Sequence, residues 1–270
     1  MCGRYAASRR PEDLAGLFDV ARWDAAGSLE QDWNVAPTKE VYAVLDRPVR
    51  EEGPAPVRQL RVLRWGLVPS WAKSPDAAAK MINARSETVH EKPSYRRAFA
   101  ARRCLLPADG YYEWMTGSEE RREEEKGKRK RPRKQPYFVT PADGSVMALA
   151  GLYEFWRDPS RPEDHPLAWW ATCTVLTTQA ETGPLPGAAA EGPRSLADIH
   201  PRMPVFLPPE RWDAWLDPAR KEPEAILPLL SGLPEGRLRA YPVAAEVSNV
   251  RNNGPELTRE LAAPAEPTLF

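Results

Sequence analysis

Short apolar runs that stop within a few residues recur along this chain, and helical periods do not alternate regularly with them. Val41 to Leu45 (VYAVL) and Leu60 to Trp65 (LRVLRW) have the β-branched, alternating character of strands. Cys104 to Pro107, Tyr137 to Thr140, Val146 to Tyr153 and Ala171 to Thr177 read the same way. Helical signals are few. Residues 11–18 (PEDLAGLF) place Pro11 in a first turn, acids at the positive helix end, and Leu14, Leu17 and Phe18 on one face. Tyr95 to Ala101 and Pro209 to Trp215 are two further helix candidates. Strands and helices mixed without a βαβ rhythm predict an α+β fold rather than a doubly wound sheet.

Two stretches cannot join a core. Thr116 to Gln135 runs acid and then base (EERREEEKGKRKRPRK), with almost no apolar area to bury, and is expected to be a solvated hairpin tip. Residues 181–194, rich in Gly, Pro and Ala, are expected to form a loop. Neither stretch separates independent halves, and there is no internal repeat. The chain, residues 1–270, is therefore expected to be one domain, long enough to bury a substantial core.

The 38 basic residues are matched by 38 acidic ones. This balance excludes a generic basic coat, so any polyanion must be held by a local groove. The three cysteines, Cys2, Cys104 and Cys173, are too few and too odd in number for a disulfide framework and fit a reducing compartment. Cys104 and Cys173 lie in apolar strand-like runs and are expected to be small core residues. No CxxC or HExxH spacing occurs, so no metal is expected. The N-terminus lacks the apolar stretch of a signal peptide, and no run approaches the ~18 apolar residues of a membrane span. A cytoplasmic protein with no membrane partner is the expectation.

Cys2 has unusual chemical scope. Small residues after Met1 permit its removal, and the new terminus then carries an α-amine and a thiol on one residue. Their ordinary pKa values, about 8 and about 8.5, leave both partly nucleophilic near neutrality. An aldehyde condenses with such an amine to an imine, and the thiol closes a five-membered thiazolidine. An internal cysteine cannot do this, because its nitrogen is an amide. From position alone, the reading to prefer is that Cys2 is an incidental residue of a frayed terminus.

Six strings, the first around Cys2 itself, carry polar or aromatic groups, in five of them beside Gly or Pro, as rigid functional loops do: MCGRY, NVAPT (34–38), WGLVPSWA (65–72), INARSET (82–88), PADGYYEW (107–114) and HPRMP (200–204). In this order, and with VSNVRNNGPEL near the C-terminus, they closely resemble the SOS-response-associated peptidase family, also called abasic-site-processing proteins. The resemblance implies a single domain with a mixed, mainly antiparallel, barrel-like sheet and flanking helices. It implies a protein that links itself covalently, through Cys2, to abasic sites in single-stranded DNA, with the strand alone or beside a duplex. Self-cleavage at Met1–Cys2 and a β-elimination (lyase) side path are implied as well. No cofactor is implied, and a monomer is expected.

By the same resemblance Cys2 is the nucleophile, Asn83 holds the terminal amine or the sugar, Glu113 is a general acid or base beside the amine, and His200 moves a proton at the sugar. Glu113, between Tyr112 and Trp114, is expected to be partly buried. His90 and His165 belong to no motif and keep a structural reading. The same strings nominate DNA contacts: Arg4, Arg85 and Arg202 for phosphates, Asn34 and Pro37 as a rigid loop against the backbone, and Trp71 and Trp114 for stacking. Trp33, Trp65, Trp169, Trp212 and Trp215 are expected in the core.

Two other classes of function compete. One is a thiol peptidase acting on other proteins, with Cys2, His200 and Asn83 as a Cys-His-Asn set; a nucleophile at the extreme terminus has little backbone around it for an oxyanion hole. The other is a single-strand-binding protein without catalysis. Blocking the terminal amine separates them, because only aldehyde capture needs it.

Overall fold

The structure is a computed structural model that describes residues 2–24, 27–49, 53–116, 134–187, 192–231 and 236–262. Its strands are β1 (Tyr5–Ala7), β2 (Asp32–Val35), β3 (Glu40–Pro48), β4 (Pro56–Trp65), β5 (Asn83–Arg85), β6 (Arg103–Ala108), β7 (Gly110–Thr116), β8 (Lys134–Pro141), β9 (Met147–Arg157), β10 (Trp169–Gln179), β11 (Arg202–Pro204) and β12 (Leu238–Pro242). Short α-helices fill the connections: α1 (Pro11–Leu17), α2 (Arg96–Ala101), α3 (Leu196–Ile199), α4 (Trp212–Leu216) and α5 (Pro223–Ile226). The α+β expectation holds.

Five strands close into a barrel. β4, β3, β6 and β9 pair antiparallel in that order, and β10 closes the ring by pairing antiparallel with β9 and parallel with β4. Closure leaves no exposed edge around the ring. Its interior is filled by alternate residues such as Ala43, Leu45, Leu63, Cys104, Leu106, Leu149 and Cys173, all buried. A second, antiparallel sheet runs β12-β8-β7-β1-β2 and is joined to the barrel by the immediate passage from β6 to β7.

Strand β10 outruns the barrel. Thr172 and Cys173 pair with Arg64 and Trp65 of β4, but from Val175 the same side of β10 carries β5 instead, with Val175 opposite Asn83 and Thr177 opposite Arg85. The other side exchanges β9 for β11, which pairs with Thr177 to Gln179. This end of β10 is the frame on which two of the six strings, INARSET and HPRMP, are mounted.

Every strand-like run coincides with an observed strand, most of which extend two to four residues beyond it, and the helix candidates at residues 11–18 and 95–101 match α1 and α2 to within a residue. Pro209 to Trp215 begins as a 3-10 turn (Pro209–Arg211) before becoming α4. Trp65, Trp212 and Trp215 are buried as expected. Trp169 is not: it is 57 % exposed, because it opens β10 at the rim where no layer covers it. Trp33 is only partly buried. Thr116 and Lys134 face each other across the β7–β8 hairpin, so the ends of the charged stretch are strand, while residues 117–133 lie outside the described residues. Residues 188–191 of the second loop also lie outside them; on either side, the Leu185 N–H donates to the Arg194 carbonyl at 2.8 Å. No helix among the described residues is long and apolar enough to cross a membrane.

Candidate active site at the seam of barrel and sheet

The N-terminal segment enters the molecule along β7. Tyr5 pairs with Tyr111, and the Tyr112 N–H donates to the Arg4 carbonyl at 2.9 Å. This antiparallel register carries Cys2 toward Glu113, three residues into β7, and the two side chains interact electrostatically. From the other side, the Asn83 amide on β5 donates to the Cys2 carbonyl at 2.7 Å. Cys2 is therefore clamped between the two sheets, and it is completely buried.

Burial pushes the Cys2 thiol well above its ordinary pKa, and the charge of Glu113 pushes it further. The side chain is a neutral thiol near pH 7. A base must take its proton when it reacts, and Glu113 is the carboxylate coupled to it. Glu113 is 6 % exposed, in keeping with its aromatic neighbours.

His200 completes the group. It caps the C-terminal end of α3, whose start is locked by a capping box: Ser195 Oγ accepts from the Asp198 N–H, and the Asp198 carboxylate accepts from the Ser195 N–H. The imidazole Nδ1 lies 3.9 Å from Glu113 Oε1 and 3.0 Å from both the N–H and the carbonyl oxygen of Arg202. The Arg202 N–H donates to Nδ1 in the tautomer that keeps its proton on Nε2. When Nδ1 carries a proton, the carbonyl is there to accept it. Either state of the ring has a partner, which suits a group that gains and loses a proton. Cys2, Asn83, Glu113 and His200 thus come together from four separate chain segments. Among the described residues, no group of three or more His, Cys, Asp or Glu side chains could hold a metal ion.

The nominated DNA contacts divide. Trp71 is 60 % exposed, Arg85 is exposed beside Asn83 on β5, and Pro37 is partly exposed. Asn34 is a correction: it is fully buried and cannot meet a DNA backbone. Its side-chain amide instead faces the carbonyls of Val247, Asn249 and Asn252 at 2.9–3.2 Å, and its Oδ1 accepts from Arg4 at 2.7 Å. Arg4 also donates to the Val247 carbonyl and lies over the Trp114 ring, whose Nε1 donates to Ser248. Arg4, Asn34 and Trp114 together latch the C-terminal VSNVRNN segment beside the site. Arg202 is likewise engaged inside the protein. Its guanidinium makes a paired contact with Glu87, at 2.6 and 3.0 Å, and donates to the Thr177 carbonyl and hydroxyl.

Sequence reading missed Glu87, and with it Ser195 and Asp198, the residues that hold α3. The S-x-x-D spacing was a usable capping signal. Glu87 carried none beyond its place in the NARSET string.

Fold and site together define a β-barrel protein whose second residue is clamped at the seam between barrel and sheet. A family model, SOS response associated peptidase (SRAP), matches residues 1–250, and the chain belongs to that family. It is 34 % identical over 258 residues to the abasic site processing protein YoqW of Bacillus subtilis, covering 95 % of this chain and 98 % of that protein. It is 29 % identical to the abasic site processing protein HMCES of Gallus gallus, covering 98 % of this chain and 80 % of that one. Among solved structures, a protein from Bacteroides thetaiotaomicron shares the fold with a TM-score of 0.74 at 22 % identity, covering 97 % of this chain and all of that one. A phage-related protein from Bordetella bronchiseptica gives 0.59 at 28 % identity, covering 90 % of this chain and 94 % of that one.

Proposed function

We propose that this protein processes abasic sites in the DNA-damage response, capturing the aldehyde of an abasic deoxyribose in single-stranded DNA as a covalent adduct on Cys2. The observation that supports this most directly is the clamp on residue 2: its carbonyl is held by Asn83 and its thiol is coupled to Glu113, which is itself adjacent to His200. A residue placed this firmly is no frayed terminus. The family and the names of its relatives point to the same substrate.

The reaction needs no oxidant. Hydrolysis of the Met1–Cys2 bond consumes one water and frees the α-amine. His200 moves the proton that opens the sugar ring, exposing the C1′ aldehyde as the ring oxygen becomes a hydroxyl. The amine adds to the aldehyde, and one water leaves as the imine forms. The Cys2 sulfur then bonds to the imine carbon, and the thiol proton passes by way of Glu113 to the nitrogen, giving a thiazolidine. A thiol kept neutral by burial favours this order, with the amine attacking first. Elimination through the imine is the lyase side path.

A peptidase reading fits less well. In a Cys-His-Asn set the asparagine orients the histidine, but Asn83 donates to the Cys2 carbonyl and Nδ1 of His200 is bracketed by Arg202.

Intact mass spectrometry of the protein with an abasic single-stranded oligonucleotide tests the proposal. The expected product is the Met1-free chain plus the oligonucleotide less one water. Acetylating the terminal amine should abolish it. Equal capture by the acetylated protein would overturn the mechanism. His200→Ala and Glu113→Ala should each slow capture by about 10²–10⁴-fold where their proton transfer limits the rate.

A further inference from the structure

The sequence nominates Arg202 as a phosphate contact, yet its side chain is only 15 % exposed and both of its terminal nitrogens are engaged, by Glu87 and Thr177. The Thr177 carbonyl is a junction. It accepts from the Ser86 N–H at 2.9 Å and from Arg202 Nη2 at 2.6 Å, tying the loop after β5 and the start of β11 to the same point of β10. Glu87 sits one residue beyond Ser86 and grips the guanidinium with both carboxylate oxygens, a geometry that fixes direction as well as distance. The residue so held is the one whose backbone N–H and carbonyl bracket His200 Nδ1.

We propose that Glu87 is a positioning residue for the reaction, holding the His200 ring in its orientation beside Glu113 by immobilising Arg202. The inference rests on the role given to His200 above. Glu87 touches neither the sugar nor Cys2 in this scheme. It acts through the Arg202 side chain, then the Arg202 backbone, then Nδ1. With the Arg202 N–H and carbonyl both 3.0 Å from Nδ1, the ring is held in one orientation whichever nitrogen carries the proton. Without Glu87 the partly buried guanidinium loses its carboxylate partner and must seek another, and the backbone at residues 200–202 loses its anchor to the NARSET loop. The Arg202 main chain then no longer fixes the ring. The arrangement also explains why an arginine in the HPRMP string stands two residues after the histidine: the spacing lets one residue bind the imidazole with its main chain and the facing loop with its side chain.

The chain has three histidines, so nitrogen-15 NMR of its imidazoles can resolve His200 with assignment by His200→Ala. In the wild-type protein the two ring nitrogens of His200 should give one sharp pair of signals, the mark of a ring held in one orientation. Glu87→Ala should shift and broaden both, and Glu87→Gln, which keeps one acceptor oxygen, should lie between. Cross-linking should slow between about 2- and 100-fold in Glu87→Ala, the span of couplings within one hydrogen-bond network, with unchanged affinity for an intact single strand. In a His200→Ala background the same substitution should cause no further loss. Unchanged His200 ring signals in Glu87→Ala would overturn the proposal, as would an equal loss of rate with and without His200. The NMR arm needs no DNA, so it decides the positioning role even if covalent capture fails. Glu87 is 42 % exposed, and a melting curve for each variant separates local loosening from misfolding.

Discussion

Cys2 and the pair Cys104 and Cys173 share every property that a single-residue inspection would record. All three are free, fully buried, and hold their protons more tightly than an ordinary thiol because burial disfavours the thiolate. Yet Cys104 and Cys173 sit within the barrel wall, on β6 and β10, in apolar surroundings, whereas Cys2 lies at the seam with a carboxylate coupled to it and an amide on its carbonyl. Burial alone would not separate the thiol proposed to react from an inert one. The difference lies in a base able to take the proton and in a backbone nitrogen that can become an amine.

The sharpest way to break this comparison is to remove one thiol at a time. Cys2→Ala should lose the stable, heat-resistant DNA adduct altogether, while borohydride still traps some imine through the alanine amine. An extra residue ahead of Cys2 should be equally damaging. Denaturing gels with and without reductant read both outcomes. Cys104→Ala and Cys173→Ala should leave capture intact and lower stability by ~1–3 kcal/mol, the usual cost of a small cavity in a packed core; denaturant titration measures it. Loss of capture in either would remove the distinction between wall and seam.

A smaller effect is expected from pH. The hydrogen bond from Arg202 lowers the pKa of Glu87 below its ordinary value. A carboxylate depressed in the folded state contributes stability that is present above its unfolded pKa and is lost as pH falls through the folded one. The acid limb of the melting profile should therefore be shallower in Glu87→Gln than in the wild-type protein. Parallel profiles would show that the pair is energetically silent. Smallest is the effect at Thr38, a β-branched residue at φ 72° in the loop after β2, held there by its N–H bond to the Trp65 carbonyl. Thr38→Gly should relieve strain of order 1 kcal/mol, seen as a slightly raised melting temperature.

The strands were legible because each is a self-contained apolar run, such as VYAVL or LRVLRW, whose pattern survives whatever it pairs with. Their order was not. Closure depends on β10 meeting β4 in parallel and β9 in antiparallel, and no local signal encodes a partner more than a hundred residues away, as Arg64 and Thr172 are. The same physics divides the site. Residue types suited to proton transfer stood out at Cys2, Glu113 and His200. Asn34 misleads because an amide that satisfies three distant carbonyls looks, in one dimension, like any polar loop residue. Gly66 is a case where the string did carry geometry. Its φ of 131° and the Ala78 carbonyl 2.6 Å from where a Cβ would stand leave room for glycine alone in the WGLVPSW turn.

The latch from Asn34 to Asn252 has a consequence for how the molecule is made. Its ends are 218 residues apart, and Asn83 and His200 flank Cys2 from stretches 81 and 198 residues further along the chain. Contacts of such long range form late, because the chain between them must first surrender its freedom. A chain still emerging from the ribosome carries Cys2 from the outset, but lacks His200 and the segment that braces Arg4. The growing polypeptide therefore holds the proposed nucleophile without its proposed proton relay, and full reactivity toward an abasic sugar should be reached only when synthesis has passed residue 252.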